Sequence, residues 1–454
     1  MSAPPLSFGR KLGYGVGDFG FNLFFTTAGL YLLYYYTDVL GLSPAAAGWV
    51  FAVALIWDAV FDPVMGYLAN RTRTRWGRYR PYIIFGAVPL AASWALIFLP
   101  TGLTGTALLI FALAAHMLFR TLYAVVSMPY LALTAVITSD SAERGVLAGI
   151  RMICAATCGL FAAFSTLKLV EAFGGGQIGF LRVAMLYGAI ACAVFAIVVA
   201  STREQAASED AAPDPSVGDM LRMLRANSAF WLVAAAMLAA SIAGTMFSKT
   251  LPYYFKYAFG RQDLIGPVLT ASTAAVMVSI PIWTQVMKRT SKRTMWRSGL
   301  LISLVAYPCL WFAPEQPGVW IPLVAVAGFG AGASYLGFWS TIPDTIEYGE
   351  WRSGVRAEGA VFGIVSLVQK GGLGLAAASL GELLQATGYR ANQPQTEATL
   401  ASMKAILLAL PFLFALATLL AVSFYPIDHR LHRRLTRALG RRGRHSAPRP
   451  VAAH

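Results

Sequence analysis

Apolar runs of twenty or more residues, separated by short polar or charged gaps, dominate the chain from about residue 13 to residue 425. Their edges predict helices over 13–37, 44–69, 81–100, 105–137, 146–171 and 181–201, and over 229–256, 264–287, 297–313, 318–346, 358–386 and 401–425. Runs of this length match the hydrocarbon thickness of a bilayer, which takes about 20 residues of helix. Only 13% of the residues are charged while 57% are hydrophobic, and the mean hydropathy is +0.60. A soluble fold of 454 residues would lack polar side chains to cover its surface. The pattern is that of an all-α integral membrane protein with twelve spans.

A polar stretch divides the spans six and six. The expected organisation is a first bundle over 1–201, a linker over 202–227 holding Glu209, Asp210, Pro213, Asp214 and Pro215, a second bundle over 228–426, and a basic tail over 427–454. The net charge is +15, and its placement matters more than its size. Arg71, Arg73, Arg75, Arg78 and Arg80 crowd the second gap; Lys288, Arg289, Lys292, Arg293 and Arg297 crowd the corresponding gap of the second half; eight arginines fall between Arg430 and Arg449. Gaps of the other parity, such as 38–44 and 100–104, are almost free of them. Basic loops stay on the cytoplasmic side, so both termini, the linker and these loops are expected there, in a cell inner membrane. No soluble fold accompanies the basic residues, so nucleic acid is not an expected partner. Cys154, Cys158, Cys192 and Cys309 lie inside apolar runs and read as small packing residues.

The halves echo each other: Asn70–Tyr82 (NRTRTRWGRYRPY) and Lys288–Leu300 (KRTSKRTMWRSGL) occupy equivalent places. Two pseudo-symmetric six-helix bundles joined by a linker are the plan of major-facilitator transporters, which bind cargo between the bundles near mid-membrane. Phosphate loops, nucleophile elbows and metal-ligand spacings are lacking in the sequence, so an enzyme is not expected and no cofactor is implied.

Ionisable residues at bilayer depth are costly unless paired or wetted, which makes each a candidate for function. Asp58 and Asp62, in IWDAVFDPVMG, stand one helical turn apart on one face of the second span. Two like charges so placed disfavour joint ionisation unless a cation lies between them. The pair reads as a sodium cage, a proton carrier, or a lock to a basic neighbour. Lys370, in SLVQKGGLG, is either a counter-charge for that pair or a lysine snorkelling to an interface. Asp18 and Arg120 could pair with each other or serve function, and Arg151 could face a central cavity. Tyr335 is a further candidate for substrate contact. His116 reads as a core residue. Tyr31, Tyr34, Tyr35, Tyr36 and Trp49 suit an interfacial aromatic belt, with some facing the cavity.

Through KLGYGVGDFG, YYYTDVLGLS, IWDAVFDPVMG, RTRTRWGRYRPY, ERGVLAGIRM, PDTIEYGEWRSGVR and LVQKGG, the chain resembles the glycoside–pentoside–hexuronide:cation symporters (melibiose permease-like) over nearly its whole length. The resemblance implies a cation site at Asp58 and Asp62, with Lys370 close by and Arg151 touching sugar. It also implies a cytoplasmic charged gate of Arg144, Asp344, Glu347, Glu350, Arg352 and Arg356. Where galactoside-binding relatives carry acids, this chain has Asn22 and Ser127; it has Leu131 where they carry an aromatic and Ala124 where they carry a threonine near sodium. Melibiose itself is therefore not the expected cargo, and loss of the threonine oxygen favours protons over sodium. The implied activity is secondary active symport of a sugar or glycoside with H+ or Na+, by a monomer in the lipid bilayer. A lysophospholipid carrier of the same fold is the alternative, and a non-transporting sensor a third reading.

Overall fold

A computed structural model describes residues 6–138, 141–204, 217–355, 358–427, 431 and 434. Arg356, most of the linker and nearly all of the tail lie outside these residues. The helices are α1 (Phe8–Gly15), α2 (Gly17–Thr27), α3 (Pro44–Arg71), α4 (Arg80–Ile97), α5 (Gly105–Ile137), α6 (Ser141–Ala172), α7 (Gly176–Ser201), α8 (Val217–Ala226), α9 (Ser228–Tyr257), α10 (Ile265–Arg289), α11 (Lys292–Phe312), α12 (Pro317–Ser353), α13 (Glu358–Ala386) and α14 (Glu397–Ser423). Among the described residues, eleven of these helices are long and apolar enough to cross a membrane. The first of the twelve spans is composite: α1 and α2 continue through two π-helical turns, Ala28–Leu32 and Tyr35–Val39.

Helix starts follow local chemistry. Ser43 caps α3 by accepting from the Ala46 amide, with Pro44 pre-set at the first helical position. Ser291 caps α11 and Thr396 caps α14 in the same way. α12 runs to Ser353, beyond the apolar limit near 346. Its polar end remains helical until Gly354 takes the left-handed conformation (φ 73°) that ends it. The tyrosines depart from the expected belt. Tyr31, Tyr34, Tyr35 and Tyr36 are all buried, because the π turns and the surrounding spans enclose them, whereas Trp49 is exposed.

Within the first six spans α3 and α4 pack on α5, and α2 on α6 and α7; within the second six, α9 packs on α14, and α12 on α10 and α11. The two sets meet along α3 with α13 and along α6 with α10. The α3–α13 contact is made backbone to backbone. A Cβ on Gly48 would stand 2.6 Å from the Ala377 carbonyl oxygen, and one on Gly381 would collide with the Pro44 carbonyl. The end of the molecule bearing the short, charge-poor loops is closed around Asp38. Its carboxylate accepts from Lys256 (2.7 Å), Tyr389 (2.7 Å), Thr37 (2.7 Å) and Tyr257. Asn392, at φ 58°, donates its amide to the Asp38 carbonyl (2.7 Å) and accepts from Lys256 (2.7 Å).

Candidate functional site

Asp58 and Asp62 sit where α3 faces α13, and both are buried. Their shared face delivers both carboxylates to one cation. The Lys370 ammonium lies 2.8 Å from Asp58 Oδ2 and also bonds Asp62 Oδ2, so Lys370 is the counter-charge and does not reach out to an interface. Arg120 Nη1 stands 3.7 Å from Asp58 Oδ2, while its Nε donates to His116 Nε2 (3.3 Å). His116 is fully buried and accepts at Nε2, which makes it a neutral ring. Asp58 Oδ1 and Asp62 Oδ1 are buried without a hydrogen-bond partner, as is Arg120 Nη1. Two carboxylates thus share one lysine and keep one oxygen each for a further proton or ion.

The expected Asp18–Arg120 pair does not form. Asp18 bonds Arg151 instead, at Oδ2 through Nε and at Oδ1 through Nη2 (3.4 Å), and accepts from the Tyr130 hydroxyl (3.3 Å). The reason is helix rotation: α5 turns Arg120 toward α3, whereas α6 packs on α2 and carries Arg151 to Asp18. The Arg151 guanidinium also lies over the Tyr130 ring, 5.1 Å from its centre. Beside this pair, Asn22 donates to the Asp18 backbone carbonyl (2.8 Å), and the Ser127 hydroxyl is buried without a partner. Ala124 is fully buried, and Leu131 is exposed. Tyr335 is within electrostatic reach of Asp18 across the two halves, and it also lines a cavity of about 300 Å³ with Trp296, Trp339 and Gln369 of the second half.

Of the expected gate residues, Asp344 takes both oxygens to Lys292 (2.8 Å each), a neighbour in its own half. Arg144 is exposed at the start of α6, Glu347 and Glu350 are half-buried near the end of α12, and Arg352 lies over the Tyr348 ring at 5.9 Å. Arg356 falls outside the described residues.

Three participants escape the sequence reading: Asp38, Lys256 and Lys249. Both lysines are on α9, and Lys249 is 4% exposed. It donates to the Gly29 carbonyl (2.7 Å) and lies 3.9 Å from the centre of the Phe51 ring. The rule that singles out Lys370, a lone lysine in an apolar run, applies to Lys249 equally.

Removal of the Lys370 ammonium leaves two buried carboxylates facing each other, a loss of about 3–5 kcal/mol for a broken buried pair. Lys370→Ala is therefore expected to reduce transport more than tenfold and to lower the melting temperature, whereas Lys370→Arg retains part of both. Uptake and thermal unfolding of the two variants check this, and equal, near-normal values for both would refute it.

Two helical bundles that enclose paired charges about midway along their helices fit the plan of a carrier that moves cargo between its halves. Residues 13–429 match the family described as MFS/sugar transport protein. The chain belongs to that family and is a membrane transporter, not an enzyme. The isoprimeverose transporter of Lactiplantibacillus pentosus is 31% identical over 431 residues, covering 92% of this chain and 88% of that protein. The symporter YnaJ of Bacillus subtilis is 30% identical over 444 residues, covering 96% of each. Among solved structures, a bacterial homolog of the human lysosomal transporter Spinster superposes with a TM-score of 0.61 at 16% identity, over 94% of this chain and 96% of that one. At that identity the likeness is one of fold.

Proposed function

We propose that the protein imports a sugar or glycoside by proton-coupled symport across the cell inner membrane, with both termini and the arginine-rich loops cytoplasmic. The observation that carries this reading is the α3–α13 contact, where Asp58 and Asp62 share Lys370 and each keeps a free oxygen. A proton needs one such oxygen. A sodium ion needs several, and Ala124 supplies none. Protonation of either carboxylate weakens its hold on Lys370, which ties the charge state of the pair to the contact between the halves.

The Asp18–Arg151 pair with Tyr130, Asn22 and Ser127 supplies donors and acceptors for cargo hydroxyls beside that contact. The family and the named sugar carriers among its relatives support a sugar as the class of cargo. In proteoliposomes, accumulation of a glycoside is expected to follow an imposed inward proton gradient. A strict requirement for a sodium gradient at constant pH would overturn the choice of ion.

A further inference from the structure

We infer that the outward face of α8, with the start of α9 beside it, is a binding surface for anionic phospholipid headgroups. The inference is independent of the cargo and of the coupling ion.

α8 is amphipathic, and its apolar side is already covered. Met223 and Leu224 are buried and Met220 is half-buried, where α8 packs on α12. The approach is close: a Cβ on Gly349 would stand 2.6 Å from both Met223 Sδ and Asn227 Nδ2. Asn227 donates to the Thr345 carbonyl (2.7 Å), which fastens the end of α8 to α12. On the other side of the helix Leu221, Arg222 and Arg225 share one exposed stripe. Asp219 lies 3.4 Å from Arg222, an exposed pair that holds the guanidinium only weakly.

Depth identifies the partner. Trp231, in the first turn of α9, is 49% exposed and donates its Nε1–H to the Leu224 carbonyl (2.9 Å). An exposed tryptophan at the start of a span belongs at headgroup level, so the last turn of α8 lies at that level too.

α12 relates α8 to a second basic segment. Thr345 takes Asn227 while its neighbour Asp344 takes Lys292 (2.8 Å), so the turn between α10 and α11 stands at the depth of α8. Around that turn Lys288, Arg289 and Arg297 are exposed. Exposed cations thus line one end of the second half, with Leu221 and Trp231 among those of α8. Such a mixture fits a lipid surface: the basic groups meet phosphates while the two apolar side chains enter the acyl boundary. An acidic cytosolic protein would match the charges but not a tryptophan at headgroup depth.

The test is backbone hydrogen exchange of the full-length protein in nanodiscs of phosphatidylglycerol and of phosphatidylcholine. The α8 amides are expected to exchange about tenfold more slowly in phosphatidylglycerol, the effect of two arginines held at an anionic surface. Those of α14 exchange alike in both lipids. Arg222→Gln combined with Arg225→Gln removes the difference. Arg222→Lys combined with Arg225→Lys keeps most of it, because a point charge also meets a phosphate.

Equal exchange of α8 in the two lipids overturns the inference on the wild-type protein alone, so a misfolded glutamine variant does not rescue it. A difference that survives in the glutamine variant, with α14 still protected, puts the lipid contact elsewhere and overturns it as well. Soluble glycerophosphate is the remaining arm. Protection of α8 on its addition to phosphatidylcholine nanodiscs, equal to that in phosphatidylglycerol, marks a free-phosphate site and rejects the lipid surface. A nanodisc presents the same lipid to both faces, so these outcomes do not depend on which end is cytoplasmic, and failure here leaves the symport reading untouched.

Discussion

Asp58→Asn is expected to abolish gradient-driven accumulation while leaving a protein that inserts and folds. Asparagine matches aspartate in size, so packing around the fully enclosed side chain is preserved. Lys370 keeps its bond to Asp62, and Arg120 keeps its bond to His116. What disappears is the second carboxylate and with it the ability of the pair to exchange one positive charge for another. Uptake against a gradient should fall by about two orders of magnitude, the effect of removing a coupling free energy at the upper end of the usual range. Exchange of labelled cargo without a gradient should fall less. Accumulation in proteoliposomes under an imposed pH gradient measures this, and undiminished accumulation by Asp58→Asn would remove the pair from any role in coupling.

Gly48→Val is expected to disable transport through packing rather than charge. The first carbon of any side chain at this position lies 2.6 Å from the Ala377 carbonyl oxygen, a backbone atom that cannot rotate away. Forcing the helices apart costs about 1–3 kcal/mol, which moves a two-state equilibrium by roughly 5- to 150-fold. The charge-poor end should then stand open, and uptake should fall more than tenfold. Spin labels at Thr104→Cys and Gln316→Cys, exposed positions on opposite halves at that end, should show a longer distance distribution in the variant. An unchanged distribution with normal uptake would show that the close approach at Gly48 is incidental.

The twelve spans were legible because bilayer thickness imposes their length and expels charge from their middles. The meeting of Asp58, Asp62 and Lys370 was legible for a related reason: a one-turn spacing fixes two carboxylates on one face, and few buried cations are available to answer them. Asp18 and Arg120 illustrate the limit. Both were visible as buried charges, but which one answers which depends on the rotation of α5 and α6 about their axes, and an almost uniformly apolar helix carries little periodicity to set that rotation. The π-helical turns were invisible too, since nothing in AGLYL or YYTDV distinguishes a wide turn from an ordinary one. Lys249, in FSKTLPYYFKY seven residues before Lys256, carries the same lone-lysine signal as Lys370 and was legible on that ground. Asp38 lay at the edge of its run and read as part of a loop.

The two wide turns of the first span also set the angular position of the residues after them. Each accommodates one residue more than an ordinary turn, and a residue subtends about 100° of helix. Between Asn22 and Asp38 the chain therefore carries a built-in phase offset. Deleting a single residue there would straighten one turn while swinging Asp38 away from Lys256 and Tyr389. Shortening this stretch is thus a change of aim more than of length, and the clasp at the charge-poor end depends on it.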